Sequence, residues 1–233
     1  MLRVAVAGAL GRMGTTAREA LQRTGEYYCG FARTSDPPHA IFDTLDAVFE
    51  RKPDVLLDLT TQPSSFEIAN AAVGRGVATV VGASGWTDEQ RAALNATAQA
   101  RGVGALIVPN FSLGAVLMMR FAQEAARYFP DVEIVEFHHA AKKDKPSGTA
   151  RETAARIERG GGSAVPIHSV RLEGLLAHHE VLFGGPGELL TIRHDSLTRE
   201  SFVAGMLAAV RAVGTMRGLS IGLDAIVAGG GLG

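Results

Sequence analysis

The order of hydrophobic and polar positions changes character near the middle of the chain. In the N-terminal part, continuous apolar runs at residues 2–7, 27–32, 55–60 and 79–82 are bounded by turn residues. Runs of this kind predict parallel strands covered on both faces. Between them lie helical stretches at about 15–23, 63–75 and 87–101. Strand and helix in alternation predict a doubly wound parallel α/β sheet, whose ligands lie beyond the carboxyl ends of its strands. A strongly apolar helix at 115–128, closed by Pro130, leads into a different pattern. Strands at 132–137, 169–173, 179–183 and 188–194 follow, separated by turns such as Gly184-Gly185-Pro186-Gly187. That spacing predicts an open mixed sheet with one helix on its face, a second α+β domain.

Composition narrows the function classes. With 233 residues the chain can hold one large or two modest domains. A net charge of −1 with interspersed signs argues against a nucleic-acid or membrane surface and favours a small-molecule ligand. The single Cys29 excludes an intramolecular disulfide and a cysteine-rich metal site. No apolar run reaches the ~20 residues that span a bilayer. The opening Met1-Leu-Arg-Val-Ala-Val reads as a strand start, so a cytoplasmic location is the expectation. Gly160-Gly161-Gly162 reads as a helix stop and Gly229-Gly230-Gly231 as a loose tail.

The first strand runs straight into Gly8-Ala9-Leu10-Gly11-Arg12-Met13-Gly14 and then a helix. Strand, glycine turn and helix in this order predict a Rossmann-like dinucleotide fold, with the pyrophosphate resting on the helix N-terminus. After the second strand, where an acidic residue would hold the ribose of NAD, the chain has Arg33-Thr34-Ser35. A guanidinium and hydroxyls suit a 2′-phosphate, which favours NADPH, while Asp36 keeps NADH open. Gly82-Ala83-Ser84 and Val108-Pro109-Asn110-Phe111 occupy further strand ends, where ligands of such a sheet lie.

Chemistry is concentrated in Glu133-Ile-Val-Glu136-Phe-His138-His139-Ala-Ala-Lys142-Lys143-Asp144-Lys145-Pro146-Ser147-Gly148-Thr149-Ala150. Residues 133–137 alternate as a strand, and a helix over 150–159 follows, with Thr149 and Glu152 spaced as a capping box. The strand should deliver His138, His139 and Lys142 into a loop facing that helix N-terminus. Free N–H groups, the helix dipole and an ammonium together favour an anionic ligand, most simply a carboxylate. His138 and His139 should point to opposite faces of a continuing strand, a poor metal pair, and no metal is expected. His178, His179 and His194 read as solvated strand residues, and Cys29 as inert core.

This segment resembles the signature of the 4-hydroxy-tetrahydrodipicolinate (dihydrodipicolinate) reductase family, E-[IV]-x-E-x-H-x-x-x-K-x-D-x-P-S-G-T-A, at every fixed position. The resemblance covers nearly the whole chain. It implies an NAD(P)H-dependent oxidoreductase of the diaminopimelate route to lysine, acting on a small dicarboxylate. It implies that His138 donates a proton, an imidazole being able to do so near working pH. Lys142 would bind a substrate carboxylate and stabilise developing charge, or give the proton itself. His139, Gly148 and Thr149 would complete the substrate contacts. The strand ends at Gly82 and Val108 would meet the nicotinamide half of the cofactor, although the family usually has Gly-Thr-Thr where this chain has Gly82-Ala83-Ser84. The resemblance further implies that a final helix, 199–217, and a last strand, 223–228, return to the first domain. Residues 1–111 and 199–233 would then form the dinucleotide-binding domain, and 112–198 the substrate-binding and oligomerisation domain of a homotetramer.

Two rival readings share the pattern. One is an amino-acid dehydrogenase of the same architecture acting on aspartate or diaminopimelate, which leaves the histidine and lysine signature without a purpose. The other is a non-catalytic module that senses NAD(P)H, for which His138 and Lys142 would be dispensable.

Overall fold

A computed structural model describes residues 1–161 and 164–229, so Gly162, Gly230 and Gly231 of the two glycine runs lie outside the described residues. The chain divides into two compact units, Met1–Phe111 with Phe202–Gly233, and Ser112–Ser201.

The first unit is built on a seven-stranded parallel sheet. Its strands are β1 (Val4–Ala7), β2 (Tyr27–Phe31), β3 (Ile41–Phe42), β4 (Val55–Asp58), β5 (Ala78–Val81), β6 (Gly104–Ile107) and β11 (Gly218–Ile221). They lie in the order β11-β6-β5-β4-β1-β2-β3, every neighbouring pair parallel. β1, β4, β5 and β6 are buried at every residue, which is why they read as unbroken apolar runs. The helices α1 (Arg12–Arg23), α2 (Leu45–Glu50), α3 (Ser64–Gly74), α4 (Asp88–Arg101), α7 (Val203–Val213) and α8 (Asp224–Ala228) complete the unit. One core joins Val81, Ala83, Trp86, Leu94 and Ile107, and another joins Ala5, Cys29, Leu56 and Ile68. Burial pushes the Cys29 thiol up to about 11, so it stays an unreactive thiol. The strand order reverses between β1 and β4, and the glycine turn after β1 sits at that switch point.

Two expectations need correction here, and one stretch holds elements that the pattern does not announce. The strand expected over 223–228 is instead the helix α8, Asp224–Ala228, with Leu223 at its N-cap; the strand is β11, just before it. Gly222, at φ +82°, ends β11, and the buried Leu223 and Ile226 are spaced three apart, a helical period. The single helix expected over 199–217 is a 3-10 turn, Arg199–Phe202, followed by the shorter α7. Between β2 and β4, the short β3 and α2 occupy a stretch whose pattern announced neither.

The second unit holds a four-stranded mixed sheet in the order β10-β9-β7-β8. β7 (Asp131–His138) pairs parallel with β8 (Ile167–Arg171) and antiparallel with β9 (Ala177–Gly185), which pairs antiparallel with β10 (Glu188–Ser196). Along β7 exposure and burial alternate, and Val132, Ile134, Glu136 and His138 form its covered face. Two helices serve that face: α5 (Leu113–Ala125) lies against β10 and α6, and α6 (Gly148–Arg159) lies against β7 and β8. The apolar part of this core is Ile134, Val181, Phe183, Ala150 and Ile157.

Candidate active site

In the first unit the expected cofactor residues line one edge of the sheet. Gly8 to Met13 form the turn between β1 and α1; Arg33 and Thr34 lie exposed just past β2; Gly82, Ala83 and Ser84 follow β5; Val108 to Phe111 follow β6. Backbone dominates this edge. Gly8 adopts φ +77°, and a Cβ on Gly14 would come within 2.0 Å of the Gly8 carbonyl oxygen, so the tight turn requires both glycines. The N-cap of α1 is Gly11, which has no side chain to cap the helix, and no acidic residue sits in the first turn. The N–H groups there are left to an external anion, which fits a dinucleotide pyrophosphate. Ala9, Ala83, Val108 and Phe111 turn their side chains into the core, so only their backbone can face a ligand. Ala83 packs inward beside Trp86 and Leu94, so its methyl adds no group to the exposed edge.

The end of β4 was missed. Asp58, fully buried, accepts hydrogen bonds from the Thr60 N–H (2.9 Å), the Thr60 hydroxyl (2.6 Å) and the Ser65 hydroxyl. Burial raises its pKa, against those hydrogen bonds. The Leu59–Thr60 backbone it anchors lies against the glycine turn, since a Cβ on Gly8 would meet the Leu59 carbonyl oxygen at 2.9 Å. An aspartate ending an apolar run and followed by two threonines was the available signal.

In the second unit the site is made of side chains. The covered face of β7 carries Glu136 and His138 two residues apart, both buried. Ser147 caps α6, its hydroxyl accepting from the Ala150 N–H at 3.2 Å. This corrects the capping box expected at Thr149 and Glu152. Ser147 has the extended backbone a cap needs (ψ 159°), whereas Thr149 is already helical and Glu152 pairs instead with Arg156 and Arg159. Gly148 and Thr149 are thus the first two residues of α6, in the turn whose N–H groups have no carbonyl four residues back.

Glu136 is fully buried and heavily bound. Its Oε1 accepts from the Ser147 N–H (3.2 Å), the Ser169 hydroxyl and Arg171 Nη2 (2.7 Å), while Oε2 pairs with His138 Nδ1. Burial alone would raise its pKa; the Arg171 and Ser169 hydrogen bonds and the His138 and Arg171 charges outweigh it and bring Glu136 down to about 2. For His138, burial lowers the pKa more than Glu136 raises it, with Lys142 and Arg171 adding to the lowering. Arg171 also donates to the carbonyl oxygens of Lys142 (3.3 Å) and Asp144 (2.6 Å), fastening the loop that carries Lys142. Lys142 Nζ meets Asp144 Oδ1 at 2.8 Å, and His139 is exposed at the loop's start.

The histidines of β9 and β10 are not solvated strand residues, which corrects the expectation for them. His179 is 3 % exposed, faces Ser147 Oγ at 3.3 Å and lies edge-on to the His138 ring, centroids 5.4 Å apart. Burial, and then the His138 charge, push it down to about 4, so it is neutral near pH 7. His178 pairs with Asp195 at 2.7 Å and His194 with Ser112 at 3.1 Å. The antiparallel register sets Glu136 opposite His179, a pairing no local spacing reveals. Donor atoms of Glu136, His138 and His179 lie within 4.8 Å of one another. That spacing would admit a cation, but the Arg171 guanidinium already supplies the positive charge at this carboxylate.

A helix start, a buried histidine and a lysine thus share one unit, and the other carries a glycine turn between strand and helix. The chain matches the family model described as "Dihydrodipicolinate reductase, N-terminus" over residues 2–111 and its "C-terminus" counterpart over residues 114–226. It belongs to the dihydrodipicolinate reductase family. The 4-hydroxy-tetrahydrodipicolinate reductase of Streptomyces coelicolor is 44% identical over 247 residues, 96% of each chain. That of Geobacillus thermodenitrificans is 41% identical over 264 residues, 97% of this chain and 99% of the relative. A solved structure from Paenisporosarcina sp. TG-14, a dihydrodipicolinate reductase with dipicolinate bound, superposes with a TM-score of 0.88 at 37% identity, covering 97% of this chain and 99% of that one. Aspartate dehydrogenase from Thermotoga maritima, at 12% identity and a TM-score of 0.54, shares the fold alone. Members of the family are oxidoreductases, and no helix among the described residues is long and apolar enough to cross a membrane.

Proposed function

We propose that the chain reduces the cyclic dicarboxylic imine derived from 4-hydroxy-tetrahydrodipicolinate to tetrahydrodipicolinate, a step of the diaminopimelate route to lysine, with NADPH or NADH as reductant. The observation that carries this reading is the intact Glu136, His138, Lys142, Gly148 and Thr149 arrangement on one strand, its loop and the following helix start. A reduced nicotinamide bound at the first unit would supply hydride to one carbon of the conjugated double bond.

The chain's own residues would do the rest. Gly8 to Met13 would hold the pyrophosphate by backbone N–H groups, and Gly82 to Ser84 and Val108 to Phe111 would border the nicotinamide half. Arg33 and Thr34 would meet a 2′-phosphate, which favours NADPH. The first turn of α6, through Gly148 and Thr149, would grip one substrate carboxylate. Lys142 would leave Asp144 to pair with the other, and His139 would contact the substrate from the loop. His138 would place a proton on the carbon next to the hydride acceptor, completing the addition of two hydrogens across the double bond. A cytoplasmic homotetramer is the proposed state. It is supported by a sheet face left open within one chain, where Val135, Phe137 and Leu182 are only half-buried, and by Leu189 at 67 % exposure on edge strand β10.

The test is oxidation of NADPH and NADH, followed at the nicotinamide absorbance band, with the product of dihydrodipicolinate synthase generated in situ. Rapid oxidation by the wild type that collapses in Lys142→Ala is the expected result. Cofactor binding without oxidation in the wild type would return the chain to the sensing reading. Oxidation that needs ammonia and a keto acid would favour the amino-acid dehydrogenase.

A further inference from the structure

We infer that Glu136 is a positioning residue for the proton-donating histidine: a clamped carboxylate that fixes the orientation and tautomer of His138. The inference rests on the proposed role of His138 as donor. The geometry divides the carboxylate into two halves. Oε1 is taken by the Ser147 N–H, the Ser169 hydroxyl and the Arg171 guanidinium, groups from the N-cap of α6 and from β8. Oε2 lies in ion-pair contact with His138 Nδ1, and among the described residues neither atom has a hydrogen-bond partner, so each is the other's only buried polar neighbour to satisfy. With three donors on one oxygen and no exposed surface, the carboxylate plane cannot turn.

An ionised carboxylate only accepts hydrogen bonds. A nitrogen lone pair held against that anionic oxygen would be repelled, so the contact requires a hydrogen on Nδ1 of His138 in both protonation states, and Nε2 is the atom that gains and loses a proton. A proton leaving Nε2 converts imidazolium to neutral imidazole, breaking no contact with Glu136. The charged groups facing His138 come from every neighbouring element: Glu136 on its own strand, Lys142 from the following loop, Arg171 from β8 and the neutral His179 from β9. Glu136 is the one anion among them, so it alone favours the imidazolium against burial and two cations. Arg171 extends the arrangement, since the guanidinium that holds Glu136 also fastens the carbonyls of Lys142 and Asp144. Both proposed reacting side chains are thus positioned from one buried ion pair.

The test compares wild type with Glu136→Gln, which keeps the shape and an oxygen for Nδ1–H but removes the charge. Two readouts are taken. In the steady state, kcat is expected to fall about 10- to 100-fold with KM for the substrate little changed. The alkaline limb of its pH profile should move to lower pH, because a histidine without its anion loses its proton earlier. Independently of turnover, 15N-histidine NMR, with His138 assigned through His138→Asn, should show the Nδ1–H tautomer in the wild type and a titration midpoint displaced to lower pH in Glu136→Gln. Should that variant not fold, Glu136→Asp carries the same readouts, with the tautomer preference weakened and kcat reduced. An unchanged His138 tautomer and midpoint with kcat within twofold would overturn the inference. A wild type that turns over no substrate yet shows the NMR behaviour would overturn the functional reading and leave the positioning role standing.

Discussion

The two units build their sites from different materials. In Met1–Phe111 with Phe202–Gly233 the candidate cofactor edge is backbone: glycine turns, strand ends and a helix start without a side-chain cap. In Ser112–Ser201 the candidate catalytic site is a set of buried side chains, Glu136, His138, Arg171 and His179, drawn from three strands. A backbone site is specified by the residues that leave space and by the helix that follows. A side-chain site depends on partners that neutralise one another, so its parts are coupled. Removing one member of a buried ion pair strands the other, whereas most side chains bordering a backbone site can change at small cost.

The largest test of the contrast is kinetic. Exchanging His138 for Gln should lower kcat about 10²–10⁴-fold while dinucleotide binding, measured by fluorescence titration, stays within twofold of wild type. Next in size, Arg171→Met leaves Glu136 buried without its cation and should cost about 3–5 kcal/mol in denaturant unfolding. Equal stability of that variant would mean the charges are not coupled as the distances imply. In the other unit, Gly14→Ala should cost about 1–3 kcal/mol and weaken dinucleotide binding, since the new Cβ would collide with Gly8 backbone. Arg33→Ala should reduce the preference for NADPH over NADH about tenfold, read as the ratio of kcat/KM values, without touching stability.

The last effect is on pH dependence. His179 titrates at about 4 when folded, below its ordinary value, so the unfolded chain binds a proton that the folded chain refuses. Stability is fully present above about pH 6.5 and falls as pH drops toward 4. Glu136, depressed to about 2, extends the loss below its ordinary carboxylate range. His179→Gln should flatten the upper part of that slope in urea titrations at pH 7, 6 and 5. A slope unchanged by the substitution would remove His179 from the buried network.

Legibility followed the range of the interactions. The parallel strands were readable because burial on both faces demands apolar residues at every position, as at Val55-Leu56-Leu57. The Gly8–Gly14 turn was readable because its constraint is local. The helix after Ser147 begins two residues before the pattern suggests, because Thr149 and Glu152 satisfy the same spacing rule and only backbone conformation chooses between caps. The strand expected over 223–228 is a helix, since a short apolar run fits either period until Gly222 and its neighbours fix the turn.

By itself the sequence determined the doubly wound sheet, the dinucleotide turn and the presence of a histidine, a lysine and a helix start in one short segment, since each follows from spacing within about twenty residues. What only the tertiary structure decided is the environment of those groups. Asp58 anchors the loop beside the glycines, Arg171 clamps Glu136 from 35 residues away, and His179 closes over His138 from β9. Burial and charge neutralisation are sums over everything that surrounds a group, and strand register, not chain order, sets those neighbours.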